Sequence, residues 1–154
     1  MINISLAGDK PNRILNKVFE KTSSKGGLVF AAAGNNGAQA PPVYPAALNN
    51  VIAVTAIDAA SRIYKKANRG AYVDFSAPGV DIWSAQEGSS GAYKSGTSYA
   101  VPYALAVAGQ DILRNGSLSY DLVVESLKQN AKDLGAAGHD KTYGWGLVSA
   151  DNAC

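Results

Sequence analysis

The sequence predicts a three-layer α/β fold, a mainly parallel sheet with helices on both faces. Three observations carry this prediction. Residues 28–33, Leu-Val-Phe-Ala-Ala-Ala, form an unbroken apolar run, the mark of a strand buried on both faces. Upstream, Ile2, Ile4 and Leu6 alternate with polar neighbours at period 2, which gives a strand with one buried face. Between the two, Ile14, Leu15, Val18 and Phe19 recur at helical spacing. A strand, a helix and a strand in that order imply a right-handed parallel crossover.

The elements follow in chain order. Residues 2–6 form the first strand. Turn chemistry at 9–12 leads to an amphipathic helix over 12–22, which Gly26-Gly27 ends. Residues 28–33 form the second strand, and 34–45 form a loop rich in Gly, Asn, Ala and Pro. Residues 51–57 are β-branched and apolar, and give a third strand. A fourth is predicted at 72–75. Residues 80–84 and 91–94 flank Gln86-Glu87-Gly88 and predict a hairpin. Residues 97–113 are apolar with little polar face, which predicts a buried helix. Pro102 falls inside it, where a helix tolerates proline only partly. Ser119 caps a last helix over 119–129, with Leu122, Val123 and Leu127 on one face. Residues 143–148 are short and Gly-rich, and the chain trails off after Ala150.

With 154 residues the chain fits one domain. Apolar residues make up 47% and charged residues 17%, a globular balance rather than a disordered one. The net charge of +2, with no basic run interleaved with aromatics, argues for neither nucleic acid nor an anionic membrane, and neither is expected as a partner. No apolar run reaches the roughly 20 residues of a membrane span. Residues 1–6 lack the basic and apolar regions of a signal peptide. Cys154 is the single cysteine, so no internal disulfide forms.

Two segments carry chemistry. The first is Ser95-Gly96-Thr97-Ser98-Tyr99-Ala100-Val101-Pro102. A serine attacks carbonyls only when a base takes its proton and donors stabilise the oxyanion. Ser98 opens a helix, whose free N–H groups favour developing negative charge. Gly96 lets the chain turn sharply and lets substrate approach the backbone. The same residues also read as a plain helix cap. The second segment is Val29-Phe30-Ala31-Ala32-Ala33-Gly34-Asn35-Asn36-Gly37. Asn35 follows a buried strand at its carboxyl end, where open α/β sheets place ligands. Its amide suits an oxyanion, although Asn-Asn-Gly is also good turn sequence. Asp58, Asp74 and Asp81 are scattered and read as solvated loop charges, and His139, the single histidine, reads as a surface residue.

Taken together, the two segments resemble the subtilisin-like serine peptidases. Other segments extend the likeness in the same order: Ile2 to Gly8, Tyr44-Pro45-Ala46, Val51 to Val54, Phe75-Ser76-Ala77-Pro78-Gly79-Val80, and Tyr143-Gly144-Trp145-Gly146-Leu147-Val148. The resemblance implies the C-terminal half of a subtilisin-like fold, with residues 1–154 a single partial peptidase domain lacking its N-terminal segment. It implies peptide-bond hydrolysis by acyl transfer, with Ser98 as nucleophile and Asn35 with the Ser98 N–H as oxyanion donors. Ser5, Leu6, Ala7 and Gly8 match the edge strand that pairs with substrate. Ala32, Ala33 and Gly34 match a pocket wall, and Thr97 lies beside the nucleophile. Ala7 stands where the family has glycine, Tyr103 where it has histidine, and Ala106 where it has glycine. The backbone carbonyls of Ala46, Leu48 and Val51 match a region that holds calcium or a monovalent cation in some relatives; no cofactor is otherwise required. Tyr44-Pro45 matches a cis peptide. A secreted, extracellular location also follows from the resemblance.

One departure is chemical. The family's catalytic Asp and His precede the strand matched by residues 2–6, so this sequence contains neither position. The chain is then expected to be inactive alone, its partners being a peptide or protein substrate and an N-terminal half, or a second copy at the exposed sheet edge. Two alternatives stay open. One is a non-catalytic or truncated peptide-binding module. The other is an esterase-like hydrolase using Ser98, Asp133 and His139, since Gly96-Thr97-Ser98-Tyr99-Ala100 is near a G-x-S-x-G elbow. Against the latter, Ala100 replaces the second glycine and six positions separate the acid from the base.

Overall fold

The computed structural model describes residues 1–116 and 119–150; Cys154 lies outside the described residues. The elements are β1 (Ile2–Ile4), α1 (Arg13–Ser23), β2 (Val29–Ala32), β3 (Ile52–Ile57), β4 (Phe75–Pro78), β5 (Ile82–Gln86), β6 (Ser89–Lys94), α2 (Thr97–Asn115) and α3 (Tyr120–Asn130). The first four strands form one sheet in the order β1-β2-β3-β4, every pair parallel. β5 and β6 form a separate antiparallel hairpin.

Alternating side chains sort the core into two layers. On one face Val29, Ala31 and Ala53 pack with Phe19 of α1, Val43, Ala46 and Val51. On the other, Phe30, Ile52, Val54, Ala56, Phe75 and Ala77 pack with α2 and α3. The expected three layers are therefore present. Ala100, Ala104 and Ala108 recur every fourth residue of α2 and are fully buried, so small side chains bring this helix close to the sheet.

Local chemistry sets the boundaries. Asn12 caps α1, its side chain accepting from the Ile14 and Leu15 N–H groups at 2.9 and 3.1 Å. Leu15 and Phe19 face the core, but Ile14 and Val18 are exposed at 77% and 51%. The apolar face of α1 is thus wider than its buried face.

The predicted strand at 72–75 is displaced: β4 begins at Phe75. Val73 instead closes a turn by donating to the Gly70 carbonyl, and the Tyr72 hydroxyl donates to the Ala33 carbonyl at 2.6 Å. In α3, Val123 and Leu127 are buried while Leu122 is exposed. Residues 145–148 run beside β4. Trp145 donates to Asp74, Ser76 to Gly146, and Val148 to Ser76, which adds a short parallel rung to the sheet. The Tyr44-Pro45 peptide is cis.

Pro102 lies inside α2. It has no N–H to give the carbonyl four residues earlier, that of Ser98. That carbonyl instead accepts the Ser5 hydroxyl at 3.1 Å. The helix thus keeps its path while a freed acceptor ties it to the end of β1.

Candidate active site

Four parallel strands direct their carboxyl ends to one side of the sheet, and the chemistry-bearing residues gather there. Ser5 follows β1, Asn35 follows β2, and Ser98 is the second residue of α2. Ser98 is half-buried, and its Oγ donates to the Ser5 carbonyl at a long 3.4 Å. Gly96 caps the helix with φ 161°, an extended backbone rather than the sharp turn expected of it. A Cβ at Gly96 would stand 3.5 Å from Asn35 Nδ2, an ordinary contact.

The orientation of Asn35 is set by Thr97. Asn35 Oδ1 accepts the Thr97 N–H at 2.9 Å and the Thr97 hydroxyl at 3.0 Å. Two donors on one atom assign it as the oxygen, so Nδ2 is the donor end of the amide. Thr97 is fully buried, and its Oγ1 also accepts the Gly34 N–H at 3.2 Å.

Gly34 has φ +107°, a left-handed conformation that suits glycine. Its Cα packs against Asn68, which a Cβ would meet at 2.7 Å. Asn68 is fully buried. Its Oδ1 accepts the Asn36 N–H at 2.7 Å, and its Nδ2 donates to the Pro41 carbonyl at 3.2 Å. Asn68 and Tyr72 therefore hold the loop that carries Asn35. Neither was legible as a site residue, because each acts through hydrogen bonds to residues distant in the sequence.

The expected substrate wall of Ala32, Ala33 and Gly34 is buried beside Asn35. Ser5, Leu6 and Ala7 form an exposed edge. Gly8 differs from these three: its N–H and C=O are both taken by Tyr44 at 2.8 Å. The chain turns after Ala7, and Gly8 is already committed to the loop around Pro45.

His139 is not brought to Ser98. Its Nε2 lies 2.8 Å from the Val73 carbonyl, and its ring meets Trp145 edge-on at 5.2 Å. Val73 precedes β4, so His139 sits by the amino ends of the strands, opposite Ser98. Asp133 is not aimed at His139; its carboxylate accepts the Gly138 N–H at 2.8 Å. The arrangement of Ser98, Asp133 and His139 as an esterase triad is not formed.

Asp74 also departs from expectation. It is no solvated loop charge. Its Oδ2 accepts the Ala53 N–H at 2.7 Å. Burial pushes its carboxyl up to about 6, against the opposing pull of that hydrogen bond and of the His139 and Lys128 charges.

The carbonyls of Ala46, Leu48 and Val51 lie along the segment before β3. That of Leu48 already accepts the Val51 N–H at 3.1 Å. Among the described residues, no three His, Cys, Asp or Glu side chains gather as metal ligands. No helix among the described residues is long and apolar enough to cross a membrane.

Residues 1–146 match the family model described as the subtilase family, peptidase S8. The minor extracellular protease Epr of Bacillus subtilis strain 168 is 35% identical over 148 residues, covering 96% of this chain and 23% of its own. Subtilisin BL of Lederbergia lenta is 36% identical over 151 residues, covering 98% and 55% respectively. Two solved structures superpose closely. A psychrophilic protease gives a TM-score of 0.87 at 27% identity, covering 97% of this chain and 57% of that one. Sphericase gives 0.84 at 28%, covering 96% and 56%. The chain thus spans from 23% to 57% of the length of these relatives.

Proposed function

The chain belongs to the subtilase family, and from that premise we propose that it carries the nucleophile and oxyanion site of a secreted serine endopeptidase. Ser98 Oγ attacks the scissile carbonyl. The Ser98 N–H and Asn35 Nδ2 receive the charge that develops on the carbonyl oxygen. The peptide C–N bond then breaks, the amine leaves with the proton that the general base took from Ser98, and water hydrolyses the acyl-enzyme to a carboxylic acid and free Ser98.

One observation carries the reading most. Thr97 holds Asn35 Oδ1 with two hydrogen bonds, which leaves the amide donor beside the start of α2 before any substrate arrives. Preorganised donors of this kind need no reorientation during reaction. The substrate backbone adds as a strand to the exposed edge at Ser5, Leu6 and Ala7. Small side chains at Ala32 and Ala33 leave room for a large apolar group before the cut.

The general base and the acid that orients it come from a segment that is not in this sequence. One relative, named as an extracellular protease, supports export. The test is reconstitution. The chain is mixed with a segment carrying the family's Asp and His, and cleavage of a fluorogenic peptide is followed. Turnover is expected to appear on mixing and to vanish with Ser98→Ala. No turnover, with the complex confirmed by sedimentation, sinks the proposal.

A further inference from the structure

A cavity lies beside the candidate active site. After β3 the chain turns at Asp58 and doubles back. Asp58 donates to the Arg62 carbonyl, and Tyr64 donates to Ala56. This returning segment and Val80 enclose a cavity of about 390 Å³, lined by Asp58, Arg62, Ile63, Tyr64, Lys65, Lys66 and Val80. That volume lies within the range of ligand clefts.

Two links place it next to the nucleophile. Lys66 accepts the Gly37 N–H at 2.8 Å, two residues after Asn35. Gly79, which precedes Val80, accepts the Gly96 N–H at 2.8 Å, two residues before Ser98. The cavity is at the carboxyl ends of β3 and β4, on the far flank from Ser5 and β1.

Its charge is one-sided. Asp58 is already bound by Arg62, with 2.7 Å between Oδ2 and Nε, and the two charges cancel. Among the described residues no carboxylate pairs with Lys65 or Lys66. Both lysines are exposed, above an apolar lining from Ile63, Tyr64 and Val80. An apolar base with an unpaired cationic rim fits a side chain with a methylene stem and a carboxylate tip.

We propose that this cavity receives an acidic side chain of the bound peptide, on the leaving-group side of the scissile bond. The substrates would then be peptides with Glu or Asp just after the cut. The proposal rests on the peptidase reading above. The side follows from sheet order. Ser5 and β1 flank Ser98 on the side where the acyl half pairs, and the cavity flanks it on the other.

The test compares two fluorescein-labelled peptides on the full chain by anisotropy, one with two glutamates and a twin with two glutamines. At low salt the glutamate peptide is expected to bind about fivefold more tightly. The gap should close as salt rises. Lys65→Gln with Lys66→Gln should erase it, and Lys65→Glu with Lys66→Glu should invert it. Equal binding of the twins, or a preference that survives charge reversal, overturns the proposal. Labelling of Ser98 by a fluorophosphonate in the reconstituted complex reads the peptidase proposal separately. An unlabelled Ser98 with the glutamate preference intact counts against that proposal alone. A labelled Ser98 with no preference counts against this one alone.

Discussion

At the residue scale, Thr97 has the widest reach. Its backbone and hydroxyl fix Asn35, and the same hydroxyl accepts Gly34. Removing the Asn35 amide should therefore act on the transition state. In the reconstituted enzyme, Asn35→Leu is expected to lower kcat about 10²–10³-fold with KM little changed, a magnitude that comes from a subtilisin itself. Steady-state kinetics decide it, and a rise in KM alone would argue against an oxyanion role. Thr97→Val keeps the shape but removes the hydroxyl, leaving the buried Gly34 N–H without its partner. The cost in urea unfolding should be about 1–3 kcal/mol. Turnover should fall as well, and Thr97→Ser should restore both. If Thr97→Val unfolds early yet turns over normally once folded, Thr97 serves packing only. Ser98, Asn35 and Thr97 were legible because each sits in a short contiguous motif. Asn68 and Tyr72 were not, because they act through hydrogen bonds to partners 27 to 39 residues away.

At the element scale, β1, β2, β3, the hairpin, α2 and α3 were legible from apolar runs and turn residues. β4 was not. Tyr72-Val73-Asp74-Phe75 looks like an alternating strand, but the turn at Gly70 and the Tyr72 hydroxyl bond delay the strand until Phe75. Asp74 reads as a surface charge in a sequence because nothing local reveals that residues 143–148 return to cover it.

The buried carboxyl has a consequence for stability. Its folded value of about 6 lies above the ordinary 3.8, so the fold prefers the protonated form. The stabilisation is complete below pH 3.8 and is lost as pH rises through about 6. The difference corresponds to about 3 kcal/mol. Asp74→Asn should keep an acceptor for Ala53 and remove the titration. The stability of the parent relative to this variant should therefore fall between pH 4 and pH 7, as measured by urea unfolding. A constant difference across that range would show that Asp74 is not the titrating group. The same junction is sterically tight: a Cβ at Gly144, whose φ is +64°, would collide with the Asp74 backbone. Gly144→Ala is expected to cost about 2 kcal/mol or more.

At the scale of the whole molecule, the apolar surface is uneven. One edge of the sheet, β1, pairs only with β2 among the described residues. Around it Met1, Ile2 and Leu6 are exposed at 53%, 44% and 78%, and Ile14, Val18 and Tyr103 are exposed as well. An open strand edge bordered by apolar side chains is a template for another chain. On the proposed function this edge would also receive the acyl half of a substrate, so association and catalysis would compete for neighbouring surface. The chain alone is therefore expected to sediment as a dimer or larger species at tens of micromolar. Ile2→Lys with Leu6→Lys should shift it towards monomer, because a charged edge resists strand pairing. Adding the segment that supplies the base should replace the self-association with a one-to-one complex. A monomer at every concentration, with the charged variant no different, would mean that β1 needs no partner. Any dependence of activity on an added segment would then be purely chemical, the supply of a base rather than the completion of a sheet.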